Sequence, residues 1–229
     1  MEVISEKDAG KALAAIYEKA LDGIPKVSRS VGDLANDYLA RHSNPRKAAL
    51  ALSRAQVTKC GTSGFVTGLG GVLTLPVAIP ANVGSVYYVQ MRMVAAIAKL
   101  GGYDVQSDQV QTMVYMCLTG TSIAEVAKKV GIELGEKGLK AAIQKIPGKV
   151  LIEINKKVGF RLFTKFGEKG VINLGKMIPL AGGVVGGAFD IASTSVIAKN
   201  AIKMFIDDEN PDGSLVTEEE ISNAMAVEE

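Results

Sequence analysis

The sequence predicts an all-α fold: a compact multi-helix domain with two apolar Gly/Pro-rich helical elements packed in its centre. Three observations carry this expectation. Apolar residues recur at helical spacing through most of the chain, and strand-like alternation is scarce. Ser, Asn, Pro and Gly stand where helices need to start and stop. Finally, 48% of the 229 residues are apolar, few are aromatic and none is tryptophan, while glycine is abundant. Helices that pack closely through small residues suit such a composition, and the length suffices for a sizeable core.

Residues 9–21 place Leu13, Ile16, Ala20 and Leu21 on one side with charges on the other, which predicts the first helix. A second is expected over 31–41, ending at His42-Ser43-Asn44-Pro45. There Ser43 or Asn44 can cap a third helix, and Pro45 fits its first position. Lys59 then opens onto a run from Cys60 to Met91 that holds 32 residues and no charge. Within it Pro76 and Pro80 stand four apart, and each removes a backbone hydrogen bond from a continuous helix. The expected result is a broken element to about Leu75, a corner, and a helix from Ala81 or Asn82 to Leu100 that Gly101 and Gly102 terminate.

Ser107 is the expected cap of a helix through VQTMVYMCL, and IAEVAKKV predicts another. From Gly148 onward Leu151, Ile154, Val158 and Leu162 form one stripe with lysines opposite. A second apolar Gly-rich element, MIPLAGGVVGGAFDIASTSVIAKN, completes the expected core. The chain thus divides into N-terminal helices (1–44), a central α-helical domain (45–206) and an acidic tail (207–229).

The ordered combination GFVTGLGG…LP…IP, QMRMVAAIAKLGGYD and IPLAGGVVGGAFDIASTSVIAKNA resembles the EcsC protein family of bacteria, over roughly residues 45–206. The positions that carry it include Gly64, Gly68, Pro76, Pro80, Gln90, Arg92, Asp104, Gly183, Gly187 and Asp190. What the resemblance implies is an α-helical bacterial domain, associated with membranes and without an established reaction. Most of these residues shape the backbone, so their expected role is structural. Pairs four apart, such as Gly64 with Gly68 and Gly183 with Gly187, let helix backbones approach in lipid or in a tight core; the core explanation is favoured. Arg92 with Asp104 or Asp190 has two readings of equal standing, a buried pair tying elements together or separate surface groups.

Chemistry of a familiar kind is not visible. His42 is the only histidine, which leaves no basis for a Ser-His-Asp site or, with only Cys60 and Cys117, for a closed zinc site. The two cysteines are expected as buried free thiols of a cytosolic protein. Neither glycine cluster completes a phosphate-binding fingerprint. A non-enzymatic role is therefore expected.

Charge is unevenly spread behind a formal net of +2. Residues 125–176 hold 12 Lys or Arg against 5 Glu, whereas 207–229 hold 9 acids and no base. In the basic middle, Lys156, Lys157, Phe160, Arg161, Phe163, Lys165 and Phe166 make a segment able to lie on an anionic membrane, lysines near phosphates and rings in the interface. The competing reading is a bundle helix whose aromatics face the core. Lysines spread through apolar faces with little aromatic interleaving argue against nucleic acid. The uncharged run is long enough to span a bilayer, but its glycines, prolines and polar residues disfavour a simple span.

In the tail, DENPDGSLVTEE matches an EF-hand loop: Asp208, Asn210 and Asp212 at positions one, three and five, Gly213 at six, the Ser214 carbonyl at seven and Glu219 at twelve. Calcium is the cofactor this implies. A type I turn followed by a capping box from Thr217 to Glu220 is the metal-free alternative. Together these features lead to the expectation of a protein of the bacterial cytoplasm, peripheral on the inner face of the membrane, whose partner is an anionic membrane surface or a membrane protein. An enzyme or lipid-handling protein with a pocket between the Gly-rich elements, near Arg92, Asp104 or Asp190, is the alternative; a membrane-perforating effector is a third.

Overall fold

A computed structural model describes residues 5–61, 81–120, 146–164 and 184–207. Among the described residues the fold is all-α, with seven helices: α1 (Glu6–Asp22), α2 (Val31–Arg41), α3 (Pro45–Gly61), α4 (Ala81–Leu100), α5 (Asp108–Thr119), α6 (Gly148–Thr164) and α7 (Val184–Phe205). The sequence locates these boundaries well because the caps are strong. Ser5, Ser30 and Ser107 accept hydrogen bonds from the amides of Asp8, Asp33 and Val110, and Asn44 accepts from the Lys47 amide. At the end of α4, Tyr103 N donates to Ala98 O and Gly102 takes φ +76°, the left-handed turn that a glycine makes without strain.

Helix α4 is the axis of the fold. Between Gly84 and Ala98 every residue except Val86 is buried, as expected of a helix apolar around its whole circumference. Helices α1, α2, α3, α5 and α7 all pack on it, and the Tyr87 hydroxyl donates to Leu162 O of α6. Met91, Met93, Val94 and Ile97 are fully buried, each contributing about 1.5–3 kcal/mol relative to exposure. Buried Gln90 donates to the Thr194 hydroxyl, which fixes the rotation of α4 against α7.

The core does not respect the division at residue 44. Leu13, Ile16 and Tyr17 of α1 and Leu34 of α2 join the same cluster as α4, so the N-terminal helices complete the domain. Helix α6 buries Leu151, Val158 and Leu162, with Ile154 at its edge, along the predicted stripe. It crosses α1 closely: a Cβ on Gly159 would lie 3.3 Å from the Ala9 backbone. No helix among the described residues is long and apolar enough to cross a membrane.

Candidate functional site

The α1–α2 connection is unusually constrained. Gly23 caps α1 at φ +83°, its N–H donating to Lys19 O, and a Cβ there would come within 2.4 Å of Ser28 O. Pro25 and Lys26 then occupy the two middle positions of a turn closed by Val27 N donating to Ile24 O. Lys26 has φ +64°, a conformation glycine takes freely and a lysine adopts at a cost of about 1 kcal/mol. Around it Ile24 N donates to both the carbonyl and the hydroxyl oxygen of Ser28. The turn is thereby held in a shape that lysine alone does not favour, as is common beside functional sites.

This turn forms one wall of a cavity of about 320 Å³, near the lower end of the usual size for ligand sites. Gln56 and Lys59, three apart, present α3 to it, and Tyr88, Val89 and Arg92 present one face of α4. Lys26, Val27, Ser28 and Arg29 come from the turn, and Leu34 from α2. Among the described residues, four of the ten that line it are cations and none is a carboxylate.

Arg92 is the deepest of the four, only 6% exposed. Its guanidinium donates to Ala20 O at 3.3 Å. The Tyr88 hydroxyl, near enough to favour its charge, bonds to the Ser28 hydroxyl. Burial lowers its affinity for its proton, the Arg29 charge acting in the same direction and Tyr88 and Asp33 against it; the group nonetheless stays cationic. Burial likewise lowers the pKa of Lys59, with further lowering from the charges of Arg92 and Arg29. Arg29 itself is 65% exposed and paired with Asp37 at 3.2 Å. The cavity therefore concentrates positive charge at partly desolvated positions, where an anion is attracted more strongly than in water.

Of the residues singled out from sequence, the structure brings Arg92 to this cavity and takes Asp104 elsewhere. Asp104 is exposed, and its carboxylate accepts from Gln106 N at the turn before α5, so the buried Arg92–Asp104 pair does not form. The cause is geometric: Arg92 faces α1 from the middle of α4, while Asp104 lies beyond the helix end and satisfies its own turn. The cavity beside Arg92 has α2, α3, α4 and the α1–α2 turn as its described walls; the pocket expected between the Gly-rich elements involves residues outside the described ones.

On α6, Lys156 and Lys157 are exposed and Phe160 is half-buried. Lys157 pairs with Glu153 at 2.8 Å; Lys149 is exposed too, and between these lysines Ile152 is 57% exposed. Arg161 and Phe163 fall within α6, and Gly187 and Asp190 within α7. Gly64, Gly68, Pro76, Pro80, Lys165, Phe166, Gly183 and the whole calcium-type loop, Asp208, Asn210, Asp212, Ser214 and Glu219, lie outside the described residues. Among the described residues no group of His, Cys, Asp or Glu is placed to hold a metal. His42 stacks on Tyr38 and its Nδ1 bonds to Tyr38 O, at the end of α2.

The sequence profile of the EcsC protein family matches residues 43–206. The chain belongs to this family. The match takes in Gln56, Lys59, Tyr88, Val89 and Arg92 and leaves out the α1–α2 turn, so the cavity is built half inside and half outside the family segment. No curated protein and no solved structure matches the chain.

Proposed function

We propose that this EcsC-family chain is a non-enzymatic protein of the bacterial cytoplasm that attaches peripherally to an anionic membrane surface and holds an anionic group of that surface in the cavity beside Arg92. The observation that carries the proposal is the cavity wall, four cations and no carboxylate among the described residues around a buried guanidinium. Such a site attracts anions by Coulomb's law and suits catalysis poorly. Its hydroxyls, Ser28 and Tyr88, bond to each other, and among the described residues neither an imidazole nor a carboxylate lines the cavity to take their protons. The outward lysines of α6 with exposed Ile152 supply a second, less specific contact for phosphates and interfacial hydrocarbon.

The sequence adds a regulatory arm to the same reading. The acidic tail competes with lipid for the basic segment, and calcium bound by Asp208, Asn210, Asp212 and Glu219 reduces that competition. Sedimentation with vesicles tests the central claim. The full chain is expected to pellet with phosphatidylglycerol vesicles and not with phosphatidylcholine vesicles, less so as salt rises, and the double change Lys149→Glu, Lys156→Glu is expected to weaken it. Failure to pellet with phosphatidylglycerol at both low and physiological salt overturns the proposal.

A further inference from the structure

Arg92 raises a problem that the described groups around it do not solve. A guanidinium has five N–H donors, and this one finds one hydrogen-bond acceptor among the described residues, Ala20 O, with the Tyr88 hydroxyl beside it. Both are neutral. Burying a charge without an opposite charge costs several kcal/mol, and here Arg29 and Lys59 add repulsion instead of relief. Arg29 is partly neutralised by Asp37. Among the described residues no carboxylate pairs with Arg92; the Asp33 charge acts on it, but the Asp33 carboxylate bonds to Ser30 at the start of α2. Packing alone does not call for an arginine at the floor of a cavity, so its charge is the point of the arrangement.

The other parts of the cavity define what fits. The donors come from three directions: Arg92 from the floor, Lys59 from α3, and Lys26 from the turn whose strained backbone places it there. Tyr88 and Ser28, bonded to one another, stand beside the guanidinium. Val27, Leu34 and Val89 make an apolar side. A carboxylate or a phosphate diester brings one negative charge and two terminal oxygens to this set. A phosphate monoester brings about −1.5 to −2 and three terminal oxygens, enough for a guanidinium edge and two ammonium groups at once.

Resting on the reading that the cavity takes an anion, we infer that its ligand is a phosphate monoester. The terminal phosphate sits between Arg92, Lys59 and Lys26, and the ester's organic part lies against Val27, Leu34 and Val89. Two sources share this chemistry, a soluble phosphate ester and a lipid headgroup that ends in phosphate. Arg92 and Lys59 are binding residues; Tyr88 and Ser28 are positioning residues that act through Arg92.

The test is a calorimetric titration of the full chain with inorganic phosphate and glycerol 3-phosphate, with acetate and glycerophosphocholine as monoanionic and diester controls. Alongside it, phosphatidylcholine vesicles carrying phosphatidic acid are compared with vesicles carrying phosphatidylglycerol. Binding of glycerol 3-phosphate over both controls assigns the soluble source. Preference for phosphatidic acid without soluble binding assigns the lipid. Either binding is expected to weaken about ten-fold or more in Lys59→Gln, a change at an exposed position whose unfolding curve is recorded alongside. Arg92→Met is expected to abolish it while raising the melting temperature of the ligand-free chain, because a buried uncompensated charge is replaced by a thioether. Absence of any preference for monoesters, or binding unchanged in both variants, overturns the assignment. The soluble titrations involve no membrane, so their failure is distinct from a failure to pellet with phosphatidylglycerol.

Discussion

Among the described glycines, Gly101 is the one at which an added methyl group meets the closest obstacle. A Cβ built there lies 1.9 Å from the Phe205 carbonyl oxygen and 3.0 Å from its carbon, about 1.5 Å inside ordinary van der Waals separation from the nearer atom. The obstacle is backbone at the end of α7, so no rotamer change relieves it. Phe205 is itself buried at 2% exposure, and its ring meets Tyr103 edge-on at 5.0 Å. That ring pairing breaks if the two helix ends part. Overpacking of about 1–3 kcal/mol and an aromatic pair of about 0.5–1.5 kcal/mol give about 3 kcal/mol for Gly101→Ala. For a chain of this length that is a fall of about 6–12 °C in melting temperature. Two further glycines separate crowding from backbone conformation. Gly102→Ala meets nothing within 4 Å but sits at φ +76°, which predicts a loss of about 1 kcal/mol. Gly10→Ala lies in open space inside α1 and predicts a gain of about 0.5–1 kcal/mol. Thermal and urea unfolding of the three variants measure the order directly. A Gly101→Ala melting temperature within about 1 °C of the parent, or a larger loss at Gly102 than at Gly101, refutes the close crossing of α4 and α7.

Two other outcomes follow from burial and from the tail. Burial pushes the Tyr17, Tyr87 and Tyr115 hydroxyls well above the ordinary tyrosine range, so in an ultraviolet titration at least these three of the six tyrosines stay protonated until the chain unfolds. Their folded pKa values lie above the unfolded value of about 10, so their contribution to stability is complete below that pH and declines above it, where the unfolded chain binds fewer protons. Ionisation of all six before any loss of helical circular dichroism contradicts this packing. For the tail, calorimetry of the full chain is expected to show one calcium in roughly the millimolar range or tighter, removed by Glu219→Gln; an absence of heat eliminates the calcium arm and leaves the cavity untouched.

The fold is legible in the sequence where local rules and tertiary packing agree. Ser30, Asn44, Ser107 and the Gly101-Gly102 pair mark helix ends by hydrogen-bonding chemistry that acts within a few residues, and the helices start and stop there. The stripe Leu151, Ile154, Val158, Leu162 is readable for the same reason. The axial place of α4 is harder to read. A helix apolar on every side is compatible with a membrane and with a core, and only the presence of five helices packed around it decides the matter. The cavity is least legible. Lys26 and Arg29 belong to no motif in the sequence, and Lys59 is the last charge before an apolar run. Nothing periodic connects residues 26, 59 and 92; the α1–α2 turn and the α3–α4 packing bring them together. The one local hint is Ile-Pro-Lys-Val, a proline turn with a lysine where glycine is the easier residue.

Arg92 shows why the apolar run ends where it does. Met93 to Ala98 continue α4 as buried as before, so the charge at 92 does not mark a return to solvent. It interrupts the core on the one face of α4 that opens to the α1–α2 turn, four residues after Tyr88, and the same helix face supplies Val89. A guanidinium reaching that opening from within the core needs an opposite charge, and the described lining provides more cations instead. The helix that gives the domain its stability thus also carries the residue whose burial is unfavourable until an anion arrives. That coupling predicts stabilisation by ligand: with glycerol 3-phosphate at a hundred times its dissociation constant, the chain is expected to gain about 2.7 kcal/mol against unfolding. The corresponding rise in melting temperature is about 5–11 °C, and it is expected to vanish in Arg92→Met. A rise of the same size in that variant places the anion somewhere other than beside Arg92.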